Sequence, residues 1–330
     1  MRIGENMSRF MKNCAITALV FIVVGAVLAF IGGSVKGKEI VSQVVEDVTD
    51  GKVQVNLDGA EDWGVTIGQN VLGAVNKLEY NVNYDIDDEM IFDNEFELFK
   101  GDVKKDFPGA GISDLDVEVG GCNFAVQESA DGEFHVSAEN SKKFQCYVSD
   151  GTLHIKATTN TAVNGTNLCN IVLYVPSGST FDKVQLEIGA GVMDLGSMAA
   201  DKIEMEVGAG QITAEKLVAD SMVASAGVGE IIIDALQVNK LDAEVGMGNL
   251  EATGVVAEKL KAECAMGNMD LKIQGSQEDY DYDIECGMGN IDIGDESFSG
   301  VVNERTIDNN SERKMEVECG MGNITIEFTE

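Results

Sequence analysis

Four consecutive segments of 19 residues constrain the fold of this chain more than any other feature. Starting at Lys183, they are KVQLEIGAGVMDLGSMAAD, KIEMEVGAGQITAEKLVAD, SMVASAGVGEIIIDALQVN and KLDAEVGMGNLEATGVVAE. Three related units follow, KLKAECAMGNMDLKI, YDIECGMGNIDI and KMEVECGMGNITIEF, with a polar insert at 294–313 before the last one. Repeats of this length are typical of supersecondary units that stack on one another.

Within each unit, apolar and polar residues alternate with a period of two. In the first unit, Val184, Leu186 and Ile188 are separated by polar side chains, which predicts a strand with one inward and one outward face. A G-x-G then turns the chain, since glycine reaches positive φ at little cost, and a second short strand follows. We therefore predict an all-β, parallel β-solenoid with coils of about 19 residues. The predicted turn glycines are Gly189, Gly191, Gly208, Gly210, Gly227, Gly229, Gly246, Gly248, Gly267, Gly287, Gly289, Gly320 and Gly322.

Stacking the coils in register places equivalent residues in columns about 4.8 Å apart. The last apolar residue before each turn predicts one inward column, and the middle residue of each G-x-G predicts a second. The first column is Ile188, Val207, Ala226, Val245, Cys264, Cys286 and Cys319, and the second is Ala190, Ala209, Val228, Met247, Met266, Met288 and Met321. The cysteines of the first column are therefore expected to be core residues.

Polar residues beside the turns suggest two further features. The asparagines that follow four of the turns are expected to stack as a hydrogen-bonded ladder; they are Asn249, Asn268, Asn290 and Asn323. A calcium-binding turn is the alternative, because GMGNIDI is loosely similar to the calcium-binding nonapeptide repeat, although asparagine stands where that motif needs aspartate. In the less regular units from Gly111 onward, His135 and His154 fall on the outward phase and are expected to be exposed.

One outward column is strongly acidic. Its members are Glu187, Glu206, Glu244, Glu263, Glu285 and Glu318, interrupted only by Ser225. One interpretation is a solvated face that keeps the solenoid soluble and prevents lateral aggregation. The other is weak capture of divalent cations or of a cationic partner. The sequence predicts no catalytic residue, no cofactor and no dedicated metal site.

The charge of the chain excludes several classes of function. Lys and Arg total 23 against 57 Asp and Glu, a formal charge of −34. Nucleic-acid binding needs cations that neutralise phosphates, so we expect no nucleic-acid partner. The seven cysteines are scattered without a CxxC pattern, and the two histidines lie far from any Cys pair. This argues against a zinc site and against a disulfide scaffold.

An uncharged run near the N-terminus predicts a membrane anchor. Residues 14–33, CAITALVFIVVGAVLAFIGG, carry no charge and as a helix would span a bilayer core of about 30 Å. A cleaved signal peptide is the alternative, but no A-x-A site closes the run. Arg2, Arg9 and Lys12 precede it and acidic residues dominate after it. The positive-inside rule therefore places the N-terminus in the cytoplasm and the acidic C-terminal part outside the cell membrane.

The region between the anchor and the repeats shows no repeat, and KKDFPGAG around Pro108 resembles a linker. The predicted organisation is a cytoplasmic N-terminus at 1–13, a single transmembrane helix at 14–33, a spacer at 34–109 and the solenoid at 110–330.

The step IVLYVPSGSTFDKV leads directly into units of the form x-G-x-G-x-I-x-I. In this respect residues 110–330 resemble a bacterial, adhesin-like domain of unknown function that is built from β-strand repeats. The resemblance implies a β-solenoid in the cell envelope. It brings no catalytic residues.

Three functions are compatible with these features. The first is a non-catalytic cell-surface module that binds an unknown protein or an envelope or glycan partner, since solenoids present long faces for binding. The second is a structural or regulatory protein of the envelope stress response. The third is a β-helix carbohydrate-active enzyme. The scarcity of basic residues outside the membrane and the absence of GxSxG, HExxH and P-loop patterns argue against it.

Overall fold

A computed structural model describes residue 90 and residues 92–158, 169–299 and 303–329. This part of the chain is all-β apart from one 3-10 turn at Gln277–Asp279. The alternating pattern thus predicted the fold class correctly. The strands are β1 (Phe99–Phe107), β2 (Asp114–Ser129), β3 (Phe134–Ser149), β4 (Thr152–Thr158), β5 (Cys169–Pro176), β6 (Phe181–Asp194), β7 (Ser197–Val207), β8 (Gln211–Ala214), β9 (Lys216–Ala226), β10 (Glu230–Val245), β11 (Asn249–Cys264), β12 (Asn268–Gln274), β13 (Tyr280–Cys286), β14 (Asn290–Ile293), β15 (Glu296–Ser299), β16 (Asn303–Ile307), β17 (Arg313–Cys319) and β18 (Asn323–Thr329).

The predicted N-terminus at 1–13, the transmembrane helix at 14–33 and most of the predicted spacer lie outside the described residues. Within the described ranges, no helix has the length and apolar character needed to cross a bilayer.

The regular units stack as parallel coils in the predicted register. Lys183 pairs with Lys202, and the same 19-residue step continues along the chain to Lys240 and Lys259. Each coil bends at its G-x-G turn, which separates two sides of the solenoid. We call the side formed by residues 183–188 and their equivalents face A, and the side formed by residues 192–195 and their equivalents face B.

The core consists of the inward residues of successive coils. In face A, Val184, Leu186 and Ile188 are at most 1% exposed, whereas the polar residues between them reach solvent. The predicted inward column before the turn is confirmed, since each of its members is buried. The alternation therefore determines which residues of each strand are buried, and the transfer of these apolar side chains out of water favours folding.

At the C-terminal end the coils do not stack in chain order. β17 and β18 lie between the coil of β11–β12 and the coil of β13–β14. The expected sequence of the column was wrong here, because Cys319 and not Cys286 lies next to Cys264. The cause is the polar insert. Its strands β15 and β16 pair antiparallel with β14 and β13 and occupy their outer edges, so the last coil fills the remaining edge.

The N-terminal end has the same arrangement. β2 lies between β6 on one side and the coil of β4 and β5 on the other. β3 then covers β4 and β5 in antiparallel orientation, and β1 pairs with β3. Residues 99–107, which the sequence assigned to the spacer, therefore belong to the folded sheet, and the predicted boundary at residue 110 was wrong.

Antiparallel strands thus cover both ends of the parallel stack. An uncovered terminal coil would present unpaired N–H and C=O groups to other chains. The outer strand β1 alternates exposed charged residues, Lys100, Asp102, Lys104 and Asp106, a pattern that opposes further strand addition. Within the described residues, the parallel stack therefore ends in antiparallel strands at both ends.

Candidate interaction surface

Face A carries the predicted acidic column, and the structure brings all six glutamates together. The ladder runs from Glu187 to Glu206, through Ser225, and on to Glu244 and Glu263. It continues to Glu318 and then to Glu285, in the reversed order that the stacking of the last two coils imposes.

The column is longer than the repeat pattern predicted. Glu118 of β2 pairs with Glu187, and Glu304 of β16 lies opposite Glu285 in the antiparallel cap. At the N-terminal end it stops at Lys156, whose Nζ lies 2.8 Å from the Glu118 carboxylate. The sequence contained a signal for Glu118, because LDVEVGG has the alternation of the later units. Nothing in the sequence placed Glu304, since its strand pairs in the opposite direction. We call these eight residues the glutamate column: Glu118, Glu187, Glu206, Glu244, Glu263, Glu318, Glu285 and Glu304.

Electrostatic repulsion and partial burial act on this column. Burial, reinforced by Glu206 and Glu118, raises the pKa of Glu187 to about 7. Burial also raises the pKa of Glu244 and of Glu318, and neighbouring carboxylates add to both effects. Like charges in adjacent strands destabilise a sheet, so the column opposes folding at neutral pH.

Lysines balance the neighbouring columns of face A more fully. Lys183 and Lys202 lie 2.8 and 2.5 Å from the carboxylate of Glu204. Lys261 lies 2.7 Å from Glu263, where it also reaches the glutamate column. Negative charge is therefore concentrated beside the G-x-G corner.

The glutamate column does not converge on one point. Its carboxylates follow one another at strand spacing, about 4.8 Å, and in the described ranges no group of three His, Cys, Asp or Glu residues is arranged to hold a metal ion. The geometry offers a strip of negative potential rather than a coordination sphere.

The turn glycines occupy the predicted corner, but the predicted reason for them was wrong. Of the thirteen, only Gly191 has a positive φ, at 109°. In the remaining turns, close stacking requires the second glycine. A Cβ on Gly248 would overlap the carbonyl oxygen of Gly229 in the preceding coil, and the second glycine of the other turns has a similar neighbour. Backbone hydrogen bonds link the turns directly, as from Met247 N to Gly227 O at 2.7 Å.

The middle residues of the G-x-G turns point outward, contrary to the predicted second inward column. Val228 is 53% exposed, Met321 41% and Met288 68%. The three-residue bend breaks the pleat, because β10 ends at Val245 and β11 begins at Asn249. The alternation therefore cannot be continued across the corner.

The predicted asparagine ladder forms in part along face B. Asn268 donates to Asn249 at 3.2 Å, and Asn323 donates to Asn268 at 2.9 Å. Asn290 instead donates to Asp292 within its own strand. A further rung that the repeat pattern missed joins Asn123 and Asn170 of the N-terminal coils, which pair at 3.0 Å.

Both histidines lie on the outward phase, as predicted, but each is held by carboxylates. His135 contacts Asp106 at 2.7 Å and Asp131 at 3.0 Å, and these two carboxylates raise its pKa. His154 contacts Asp116 at 2.8 Å and stacks on the ring of Tyr147. Each side chain thus has a structural partner.

The cysteines within the described ranges are free and buried. Cys122 and Cys169 occupy paired positions of β2 and β5, and their thiols are hydrogen-bonded. Burial raises the pKa of Cys146 and Cys264, the latter to about 11. Thiols with a raised pKa, such as these two, behave as small apolar core residues and are poor nucleophiles. The pKa of Cys169 is instead lowered by its hydrogen bond with Cys122.

A cavity of about 330 Å³ lies at the end of face B in the N-terminal coils. Val126, Glu128, Pro176, Leu195 and Glu215 are among its lining residues. Its wall combines apolar side chains with carboxylates.

The match to a protein family covers most of this solenoid. Residues 112–316, more than half of the chain, match the model of the Toastrack DUF4097 family. The chain belongs to the Toastrack DUF4097 family. This confirms the resemblance to an adhesin-like domain of unknown function that the β-strand repeats indicated. None of the curated proteins matches the chain.

Several proteins of known structure are similar to this chain. A candidate adhesin from Bacteroides fragilis is 17% identical with a TM-score of 0.37, covering 70% of this chain and 98% of that one. A candidate lipid-binding protein from Parabacteroides distasonis is 14% identical with a TM-score of 0.39, covering 68% and 96%. A candidate cell-adhesion protein from Clostridium sporogenes is 11% identical with a TM-score of 0.29, covering 70% and 100%.

Proposed function

We propose that this Toastrack protein is a non-catalytic interaction module, displayed outside a bacterial cell membrane by an apolar helix at residues 14–33, and that face A is its binding surface. The observation that carries the proposal is the glutamate column on a coil stack that is closed at both ends. Closed ends direct association to the sides of the solenoid, and the column marks one side.

The cost of the column supports a role in binding. Solubility needs charge, but it does not need eight carboxylates in one line. The adjacent columns of face A show the cheaper solution, in which Lys183 and Lys202 pair with Glu204 and Lys259 pairs with Glu316. A line of like charges that destabilises the free protein is relieved when a cationic partner neutralises it. The partner we propose is therefore a protein or envelope component that presents positive charge.

Two features favour binding over catalysis. The thiols of Cys146 and Cys264 are withdrawn into the core. His135 and His154 are each tied to aspartates in separate parts of the N-terminal coils. Neither histidine lies beside a nucleophile in the contacts that the structure describes, whereas nucleophilic catalysis requires a base within hydrogen-bond reach of the nucleophile.

The proposal predicts that protease added to intact protoplasts that express the full-length chain removes the acidic C-terminal part. Isolated envelopes should then bind full-length protein in detergent through face A. The double change Glu244→Gln and Glu263→Gln should weaken this binding at least about tenfold. The matched control, Glu251→Gln with Asp270→Asn, removes the same charge from face B, where both residues are exposed, and should leave binding almost unchanged.

Three results would contradict the proposal or its anchor. Protection of the acidic part until the membrane is permeabilised would place it inside the cell. Equal loss of binding in both double variants would show that net charge matters and face A does not. A mature N-terminus near Ser34 would replace the anchor with a cleaved signal peptide.

A further inference from the structure

A line of apolar side chains projects from the G-x-G corner of the solenoid. In stacking order, four adjacent coils contribute Met247, Met266, Met321 and Met288, which we call the methionine ridge, and Val228 precedes them. Met321 and Met288 are 41% and 68% exposed, and Met247 and Met266 are half-buried. Single exposed apolar residues are ordinary, whereas a contiguous row of them is typical of an interaction site.

The ridge has the same polar neighbours in every coil. Glutamate lies three residues before each methionine and asparagine two residues after it, as in Glu244, Met247 and Asn249. The motif recurs at Met266, Met321 and Met288. Because the coils are in register, the ridge runs between the glutamate column of face A and the asparagine ladder of face B.

The spacing of the ridge fits a helix better than an extended chain. Methionines of adjacent coils are separated by about 4.8 Å. Residues three or four apart on an α-helix advance by about 4.5–6 Å along its axis. Alternate residues of an extended strand advance by about 6.6 Å, which loses register with the coils after two steps. Three turns of a helix would place one apolar side chain against each of the four methionines.

The chemistry of the ridge specifies the other side of that helix. Methionine is flexible and polarizable, and it adapts to varied apolar partners. The adjacent glutamates favour lysine or arginine beside the apolar stripe, and reject acidic partners. A formal charge of −34 on this chain argues against a second copy of itself and against an anionic bilayer.

We propose that the methionine ridge and the glutamate column together form a docking track for a basic amphipathic helix of a partner protein. The helix lies along the solenoid axis, with its apolar stripe on the four methionines and its cations over face A. This inference rests on the proposed use of face A for binding, and it adds the ridge and the helical form of the partner.

The probe is a synthetic helix of about 14 residues with leucine at every third or fourth position and lysine on the flank. The control peptide has the same composition with the leucines scattered, so that charge is kept and the stripe is lost. Fluorescence anisotropy with the full-length protein in detergent should give at least about tenfold tighter binding of the striped peptide. Bound striped peptide should also slow the oxidation of Met288 and Met321 by dilute peroxide, followed by mass spectrometry of their peptides.

Matched variants separate the ridge from general electrostatics. Met288→Gln with Met321→Gln should weaken binding of the striped peptide at least about tenfold. The control, Leu98→Gln with Val148→Gln, changes exposed apolar positions outside the ridge and should leave this binding unchanged. Because all four side chains are exposed, the melting temperatures should remain close to that of the wild-type protein, which shows that folding is intact.

Several results would overturn the docking track. These are equal binding of the two peptides, unchanged binding by the methionine variant, or unchanged oxidation of Met288 and Met321. Binding to zwitterionic vesicles in place of the peptide would instead assign the ridge to a lipid surface. Glu244→Gln with Glu263→Gln could weaken the binding of both peptides while the methionine variant weakens the binding of neither. In that case face A remains the binding surface, and only the docking track is contradicted.

Discussion

At the residue scale, Glu187 shows how the fold works against its own charge. Burial and the flanking carboxylates of Glu206 and Glu118 raise its pKa from 4.5 to about 7. Between these two pH values the folded state binds a proton that the unfolded state has released. Its contribution is therefore most favourable below about pH 4.5 and is lost as the pH rises through about 7, which is the reverse of a salt-bridged carboxylate.

This linkage predicts that Glu187→Gln stabilises the protein at pH 8 by about 1–2 kcal/mol after allowance for solvent screening. At pH 4.5 the same change should be nearly neutral, because in the folded state glutamic acid and glutamine are then both uncharged. Urea unfolding at the two pH values measures the difference. Glu251→Gln, at an exposed position of face B, serves as the control and should change stability by less than about 0.5 kcal/mol. Equal effects of Glu187→Gln at both pH values would contradict the raised pKa.

At the scale of the element, the G-x-G turn is determined by contact between coils. The second glycine of each turn lies against a carbonyl of the preceding coil, as Gly248 lies against Gly229. The overlap is smaller at the first glycine, because a Cβ on Gly246 would lie 2.8 Å from the Gly227 oxygen, whereas a Cβ on Gly248 would lie 2.0 Å from the Gly229 oxygen. Ala265 occupies the equivalent position in the following coil, so one Cβ is already accommodated there.

The two glycines of this turn should consequently differ in tolerance. Gly248→Ala should cost about 3 kcal/mol, since a rigid carbonyl and not a movable side chain must give way. Gly246→Ala should cost less than about 1 kcal/mol, as the natural Ala265 indicates. Urea melts at neutral pH measure both changes. A similar loss in the two variants would mean that backbone conformation, and not close stacking, selects glycine.

At the scale of the whole molecule, each end of the solenoid has one coil that lies between two coils that follow one another along the chain. β2 fills the space between β6 and the β4–β5 coil, and β17–β18 fills the space between β11–β12 and β13–β14. In each case antiparallel strands cover the terminal coil. The C-terminal strands β17 and β18 are therefore internal to the stack and do not form its end.

Engineered cysteines can test this order. Asp270 pairs with Thr325, and Thr325 pairs with Asp292 on the next coil. Asp270→Cys with Thr325→Cys should form a disulfide under mild oxidation, because paired Cα atoms about 4.8 Å apart suit the bond. Asp270→Cys with Asp292→Cys should stay reduced at about twice that separation. Mass spectrometry of non-reduced digests distinguishes the two, and the opposite result would restore stacking in chain order.

Local patterns predicted much of the repeat. The 19-residue spacing set the coil length, and alternation set which side chains are buried, as at Val184, Leu186 and Ile188. The six predicted glutamates share a column for the same reason. These features depend on the period of the strand and on one register, and both are written in consecutive residues.

The sequence alone therefore determined the coil, its inner and outer residues and the acidic side, because each depends on neighbours within 19 residues. Only the tertiary structure decided the order of the last coils, since YDIEC and KMEVEC satisfy the same register and the insert strands β15 and β16 select between them. It also decided that Met288 and Met321 face solvent, because a corner ends the alternation that placed them inside. Pairing across long chain separations and the direction of a bend are properties of packed coils, and a local pattern does not contain them.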